Sequence, residues 1–261
     1  MKWTQEAEEA IKKVPFFVRK KVRARVEKEA GLSSRDTVTL AVVNTARKKF
    51  LDNMSSEIKG YQLDACFGSG GCPNRAVESE GLFTRLEQLL QKEDLLGFLR
   101  QHVKGDLKYH HEFRVTISDC PNACSQPQIK DIGIIGASEP VICDEACTLC
   151  GACVDVCRDH AVCLDTAKEM PVIDRARCMQ CGLCAKGCPT GTITDGQKGF
   201  RIMLGGKLGR HPRLGEELPG LFTEEEVLVI VKKCIDYYKT GSRNGARFAE
   251  LYKTPQFLEE T

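Results

Sequence analysis

Apolar positions change period along the chain. In the first 58 residues Ile11, Val14, Val18, Val22 and Val26 recur at helical spacing. Gly31 and Pro15 alone break this stretch, which predicts short helices over Thr4–Lys13, Phe17–Ala30 and about Thr39–Met54. Thr4 stands where a hydroxyl caps a first turn, with acids just after it. From Gly60 the texture differs. Tyr61–Ala65, Phe113–Ile117, Ile132–Gly136 and Phe200–Leu204 read as strands. Leu82, Leu86, Leu89, Leu90, Leu95 and Leu96 predict one helical stretch over Gly81–Val103. Glu224–Lys239 predicts an amphipathic helix and Ala246–Tyr252 a short last one. Residues 143–195 have no long apolar run. The expected class is α+β, with a helical N-terminal part.

A length of 261 residues allows one or two domains. With 42% hydrophobic and 28% charged residues, a normal core is available. The net charge of +2 speaks against a nucleic-acid partner bound by bulk charge. The longest apolar runs, Leu228–Val231 and Ile132–Ala137, fall far short of the ~18 residues of a membrane span, so no membrane partner is expected. Up to residue 60 there are 14 Lys and Arg against 8 Asp and Glu. That surplus is either a solvated helix face or a dock for an acidic partner or cofactor.

Cysteine changes the picture most. There are 15, an odd number, and Glu6, Glu8 and Glu9 occupy the place of a secretory signal. A disulfide scaffold is disfavoured, and thiolate metal ligands in a reducing cytoplasm are expected. Cys147, Cys150, Cys153 and Cys157 have the spacing C-x2-C-x2-C-x3-C, and Cys178, Cys181, Cys184 and Cys188 repeat it 31 residues later. Three cysteines at two-residue intervals let one tight loop wrap three iron corners of a cubane, and each run lends its last cysteine to the other cluster. Cys147, Cys150, Cys153 and Cys188 are thus expected to hold one [4Fe–4S] cluster. Cys178, Cys181, Cys184 and Cys157 would hold a second. A lone pair of C-x2-C motifs would read as zinc; two complete runs do not. The segment resembles bacterial two-cluster ferredoxins, which implies one-electron transfer. Pro189 follows the last cysteine as in those proteins, whereas Arg158 takes the proline position of the first run.

Cys66 and Cys72 are spaced C-x5-C around a glycine-rich loop, and Cys120 and Cys124 are spaced C-x3-C. With Pro121 suited to a first helical position, a helix is expected to begin at Cys120 and to present both thiols on one face. Together the pairs make a four-thiolate site, which by spacing alone is an ordinary cubane, a haem-coupled one or zinc. The two pairs, the stretch Phe113–Gly136 and Gly205-Gly206-Lys207-Leu208-Gly209-Arg210 resemble the sirohaem–[4Fe–4S] sulfite and nitrite reductases. In that family the last cysteine of the C-x3-C pair bridges cubane and sirohaem, which carries over to Cys124. A ferredoxin insertion at this point also resembles the dissimilatory-type sulfite reductases. The first 58 residues resemble a small helical domain found in light-independent protochlorophyllide reductase.

The resemblance implies a small helical domain (1–58), a sirohaem-reductase α/β half-domain in two parts (59–139 and 198–261) and a ferredoxin insertion (140–197). It implies three [4Fe–4S] clusters, sirohaem, a small anion substrate (sulfite or nitrite) and a reduced electron-donor protein. Electrons would pass from the two ferredoxin clusters through the third to the bound anion. Sirohaem carboxylates and the anion need basic groups. Lys207, Arg210 and Arg75 are the candidate catalytic residues. Cys124, Gly70, Gly71, Gly205, Gly206, Lys207, Arg210 and Arg213 are the candidate cofactor contacts, with Lys130 a weaker candidate. Complete reductases hold two related halves and this chain has length for one. A homodimer is therefore expected, with a heterologous partner the alternative. The second reading of function is an electron-transfer protein without a productive sirohaem site. Of the remaining cysteines, Cys234 is expected in the core. Cys143 and Cys163 are expected as small buried residues, with spare ligands the alternative.

Overall fold

The computed structural model describes residues 1–33 and 35–259. They form two compact units, Met1–Ile58 with Gly105–His110, and Lys59–Lys104 with His111–Thr261.

In the first unit α1 (Gln5–Lys12), α2 (Phe16–Leu32) and α3 (Leu40–Glu57) enclose Ala7, Val26, Ala30, Val38, Val42 and Ala46. Small side chains let these helices pack closely, and the Thr4 hydroxyl accepts the Ala7 N–H at 3.4 Å to cap α1. The unit is not purely helical. β1 (Lys2–Trp3) pairs in parallel with β2 (Thr37–Val38), and strands of two residues leave no alternation to detect. Part of the basic surplus is spent internally. The Arg23 guanidinium lies 4.2 Å from the Trp3 ring centre while pairing with Glu8 at 2.6 Å.

The second unit is built on a five-stranded sheet. β3 (Tyr61–Ala65), β4 (Phe113–Ser118) and β5 (Ile132–Ile142) run parallel, and β8 (Ile193–Leu204) and β9 (Glu216–Glu217) return antiparallel. Against it pack α4 (Glu80–Lys92), α5 (Leu95–His102), α8 (Glu224–Gly241) and α9 (Phe248–Leu251). Leu82, Leu86, Leu90 and Leu95 meet Val227, Val231 and Ile235 with Val115, Ile117 and Ile134 in one buried core. Burying each such side chain is worth roughly 1.5–3 kcal/mol. Cys234 is fully buried there.

The single helix expected over Gly81–Val103 is two. Asp94 takes a left-handed backbone (φ 40°), and its carboxylate accepts the Gly97 N–H at 3.0 Å, which starts α5 afresh. The leucine period ran through the break because Leu90 and Leu95 serve the same core. β5 and β8 also outrun their expected lengths. They pair from Ile132↔Leu204 to Ile142↔Ile193, with an irregularity between Ser138 and Pro140. Pro140, Gly196 and charged neighbours hide these distal arms from a hydrophobic pattern. The arms carry the cysteine-rich insertion: α6 (Ala152–Asp155), the hairpin of β6 (Val162–Asp165) and β7 (Met170–Ile173), and α7 (Leu183–Gly187).

Candidate functional site

The 31-residue cysteine repeat is also a backbone repeat. Leu149 and Gln180 hold φ 54° and 57°, Gly151 and Gly182 hold 79° and 70°, and His160 and Gly191 hold 49° and 75°. Each left-handed pair turns a three-cysteine loop on itself before α6 or α7. Only Gly takes such angles freely, so Leu149 and Gln180 mark turns enforced by their surroundings.

The thiols group across the two runs. Burial pushes Cys184 up to about 11, and Cys181, Cys178 and Cys157 push the same way. An apolar cavity is lined by those four cysteines with Pro140, Ala161 and Leu183. Burial likewise raises Cys153, with Cys188 and Cys147 adding to it. Backbone amides point at the sulfurs: Ala161 N–H to Cys157 at 3.2 Å, Leu149 N–H to Cys147 at 3.4 Å, Ile193 N–H to Cys188 at 3.5 Å. At Cys188 burial alone would raise the thiol. Hydrogen bonds from Ile193, Thr190 and Gly191 outweigh it and bring the group down to about 7. At Cys188, then, the surroundings favour a thiolate, the form that binds metal.

The other two pairs converge at the carboxyl ends of adjacent parallel strands. Cys66 follows β3, Cys120 follows β4, and Ala65 is in register with Ile117. Such strand ends open the crevice where α/β sheets bind ligands. The helix expected from Cys120 is absent. Ala123 N–H bonds the Cys120 carbonyl at 3.1 Å, and Ala123 turns left-handed (φ 53°). Ser125 then donates its hydroxyl to the Ile117 carbonyl at 2.7 Å and its N–H to Ser118 Oγ at 3.3 Å, pulling the chain back to the strand. These local side-chain bonds displace a helix. The thiols still meet. Burial raises Cys120, and Cys66, Cys72 and Cys124 raise it further. Cys120 is buried, Cys66 and Cys72 are half-buried and Cys124 is exposed.

Asp119 organises this site. Its N–H donates to Cys66 Sγ at 3.3 Å, and its carbonyl accepts the N–H of Ala76 and of Val77 at 2.8 and 3.2 Å. The Ser79 hydroxyl donates to Asp119 Oδ1 at 2.5 Å. All fifteen cysteines are free of disulfides. Among the described residues no three or more His, Cys, Asp or Glu side chains are gathered to hold a single metal ion. A cubane is a bulkier object, taking its thiolates on four separate iron corners. Cys157, Cys178, Cys181 and Cys184, the strand-end four, and Cys147, Cys153 and Cys188, with amides aimed at several of them, fit that donor chemistry, and the outward Cys124 fits a macrocycle. Cys143 is half-buried against the Thr194 hydroxyl at 3.0 Å. Cys163, expected to be buried, is exposed on β6 because that hairpin is covered on one side only.

The basic candidates are placed unequally. Lys207 and Arg213 exchange two backbone hydrogen bonds of 2.8 and 2.9 Å, closing a hairpin with Arg210 at its tip. Arg210 is exposed, without an ion pair among the described residues. Arg213 is committed elsewhere: Nη2 donates to the Gly205 and Ala249 carbonyls at 2.8 and 2.7 Å. Arg75 pairs with Glu78 at 2.7 Å, and Lys130 with Asp64 at 3.1 Å. Gly205 and Gly206, expected as cofactor contacts, are approached closely by the chain itself. A Cβ on Gly205 would stand 2.3 Å from the Tyr252 ring, and one on Gly206 2.4 Å from the Gln128 carbonyl. The hairpin therefore lies on the turn that follows Cys124.

Sequence reasoning missed Asp119, Asn74 and Asn122. A signal existed: Cys72-Pro73-Asn74 and Cys120-Pro121-Asn122 are the same tripeptide. Arg158 donates to Asn122 Oδ1 and Asn74 Oδ1, each at 3.3 Å, and Lys186 Nζ donates to the Arg75 carbonyl.

Comparison with known proteins supplies the family. The Proto-chlorophyllide reductase 57 kD subunit profile matches residues 3–47. The coenzyme F420-dependent sulfite reductase of Methanocaldococcus jannaschii is 30% identical over 200 residues, 75% of this chain and 30% of that protein. One polypeptide of the anaerobic sulfite reductase of Salmonella typhimurium is 29% identical over 185 residues, 70% of this chain and 50% of that polypeptide. The chain thus spans half or less of the length of these relatives. The crystal structure of dissimilatory sulfite reductase I shares the fold, with TM-score 0.52 and 16% identity over 81% of this chain and 56% of that one. Among the described residues no helix is long and apolar enough to cross a membrane. The Nitrite and sulphite reductase 4Fe-4S domain profile matches residues 60–254, most of the chain and all twelve clustered thiols, and the chain belongs to that family.

Proposed function

We propose that the chain is a cytoplasmic sirohaem-dependent reductase acting on sulfite or nitrite. The observation that carries this is the meeting of Cys66, Cys72, Cys120 and Cys124 at the ends of β3 and β4, with only Cys124 facing outward. Cys147, Cys150, Cys153 and Cys188 hold one cubane, Cys178, Cys181, Cys184 and Cys157 a second, and the strand-end set a third. When bound, the clusters supply single electrons, and sirohaem, with Cys124 as its thiolate ligand, supplies the multi-electron chemistry.

The chain's own residues do the rest. Gly70 and Gly71, in the loop between Cys66 and Cys72, leave open space for the cofactor. Lys207 and Arg210, on the hairpin over the Gln128 turn, attract the anion and the cofactor carboxylates, and the Lys207 ammonium donates protons as oxygen leaves. Arg213 fixes that hairpin from behind by holding the Gly205 carbonyl. Arg75, beside Cys72, adds a third positive charge, tempered by Glu78. Cys150 is the exposed thiol of the first set, so a reduced donor protein meets the chain on that side. The second set, containing Cys157 next to Arg158, stands toward the strand-end site.

A second copy of the chain supplies the half that complete reductases carry within one polypeptide, making a homodimer. The second reading, an electron-transfer protein without sirohaem, is favoured by the basic candidates already engaged elsewhere, Arg213 with the Gly205 and Ala249 carbonyls and Arg75 with Glu78. One experiment separates the two. Anaerobically purified protein is extracted for pigment and assayed with reduced viologen dye. Sirohaem bands with sulfite or nitrite consumption support the reductase. Iron and sulfide for three cubanes with no extractable pigment support the carrier.

A further inference from the structure

Arg158 is the one departure of the first cysteine run from the ferredoxin pattern, and its side chain leaves the insertion altogether. Nη1 reaches Asn122 and Nη2 reaches Asn74, the asparagines of the two Cys-Pro-Asn turns at the strand-end site. A planar guanidinium with two separate N–H edges can serve two acceptors at once, whereas a lysine ammonium is a point donor on a flexible stem. We propose that Arg158 is a positioning residue that registers the two-cluster insertion against the strand-end thiols. The inference rests on the reading that both regions carry clusters.

Three observations support it. First, the contact completes a continuous chain of bonds between two thiol sets. Cys157 is joined through its peptide bond to Arg158, Arg158 is hydrogen-bonded to Asn122, and Asn122 stands two residues along the backbone from both Cys120 and Cys124. Second, the two turns that Arg158 grips are already tied together. Ala76 and Val77 donate to the Asp119 carbonyl, one residue before Cys120. Gripping both therefore fixes the insertion to a rigid object rather than to one loop. Third, the second run makes its own contact with the same loop, Lys186 to the Arg75 carbonyl. Two contacts from opposite runs restrain both tilt and distance. The corresponding Pro189 of the second run is exposed and has no comparable reach.

The test compares Arg158→Ala, Arg158→Lys and Arg158→Pro, the last restoring the ferredoxin residue, with Asn74→Ala and the double variant Arg158→Ala/Asn74→Ala. All are purified anaerobically. Iron content and the reduced-cluster EPR signals should stay at the wild-type level, since no ligand is touched. Amide hydrogen exchange over 72–77 and 120–126 should rise in each Arg158 variant. Asn74→Ala should add nothing once Arg158 is gone, as expected for partners in one contact. In pre-reduced protein mixed with sulfite or nitrite, reoxidation of the insertion's clusters should slow about tenfold in Arg158→Ala and Arg158→Pro. Wild-type exchange over both segments in the Arg158 variants would overturn the proposal. So would wild-type reoxidation with raised exchange. Should Arg158→Pro lose iron, Arg158→Lys and Asn74→Ala carry the test without disturbing the run. Absence of sirohaem from the wild-type protein would sink the reductase reading instead, and the exchange comparison would still decide on Arg158.

Discussion

Gly68 lies so close to the buried carboxylate of Asp119 that a Cβ at residue 68 would stand 2.4 Å from Oδ2. The carboxylate cannot retreat freely, because Ser79 holds its other oxygen and its backbone holds Cys66, Ala76 and Val77. The glycine loop between Cys66 and Cys72 and the Asp119–Cys120 corner are thus shaped against each other.

Gly68→Ala should therefore damage one thiol set and spare two. The added methyl group must displace Asp119 or the loop, and either movement separates Cys66 from Cys120. We expect purified protein to lose about one cubane's iron per chain, with the EPR signals of the insertion retained. Full iron content in the variant would show that the loop yields without moving its thiols.

Arg213 makes a structural prediction where its sequence context invited a cofactor contact. Its guanidinium holds the Gly205 and Ala249 carbonyls, which joins the Lys207–Arg213 hairpin to α9. Arg213→Ala should cost about 1.5–3 kcal/mol in anaerobic denaturant unfolding, the range of hydrogen bonds made by a charged group. Arg210→Ala, with no such partners, should leave stability within about 0.5 kcal/mol and lower affinity for the anion. Equal stability losses in the two variants would remove the distinction.

The parts legible in the sequence were those with a fixed spacing. The 31-residue offset from Cys147 to Cys178 survives as matched φ angles, since both loops solve the same wrapping problem. The strands Tyr61–Ala65 and Phe113–Ile117 emerged because each alternates apolar and polar residues over five positions. Three things were hidden, each for a physical reason. The Asp94 break was masked by leucines that serve one core on both sides of it. The turn at Cys120–Cys124 was masked because C-x3-C has the same spacing in a helix and in two successive turns; the hydroxyls of Ser118 and Ser125 decide between them. The reach of Arg158 was masked because its partners lie 84 and 36 residues away in sequence. Spacing is local information, and the joining of the insertion to the strand-end site is not local.

Asp131 gives a pH prediction. It is buried, with its carboxylate accepting the N–H of Arg114 at 2.9 Å and of Ala249 at 3.1 Å. Burial raises it to about 6, and those two hydrogen bonds only partly oppose the rise. The unfolded value is about 3.9. Between about pH 4 and pH 6 the folded state therefore holds more proton than the unfolded state, so stability falls as pH rises through this window, by about 3 kcal/mol at most. Glu93 and Asp195, whose carboxyls are held below their ordinary values by Lys239 and Lys198 against burial, act at lower pH and with the opposite sign. The check is the difference in unfolding free energy between wild type and Asp131→Asn across pH 4.5–6.5, which cancels every other group. The difference should change steadily over that range; a constant difference would refute the assignment.

The thiol of Cys188 gives a redox prediction. Thr190 Oγ1 stands 3.5 Å from its sulfur, within reach for its hydroxyl to donate to the thiolate. Donors to a cluster sulfur stabilise the reduced state, which carries the extra negative charge, and raise the reduction potential. Thr190→Val keeps the shape and removes the donor. One hydrogen bond is worth about 1 kcal/mol, or about 40 mV for a one-electron couple, as an upper figure. An EPR-monitored redox titration should show the cluster that includes Cys188 shifted downward by up to about 40 mV. The cluster that includes Cys157 shares no donor with it and should stay in place. A shift of both clusters together, or of neither, would mean that the Thr190 hydroxyl does not act on the Cys188 sulfur.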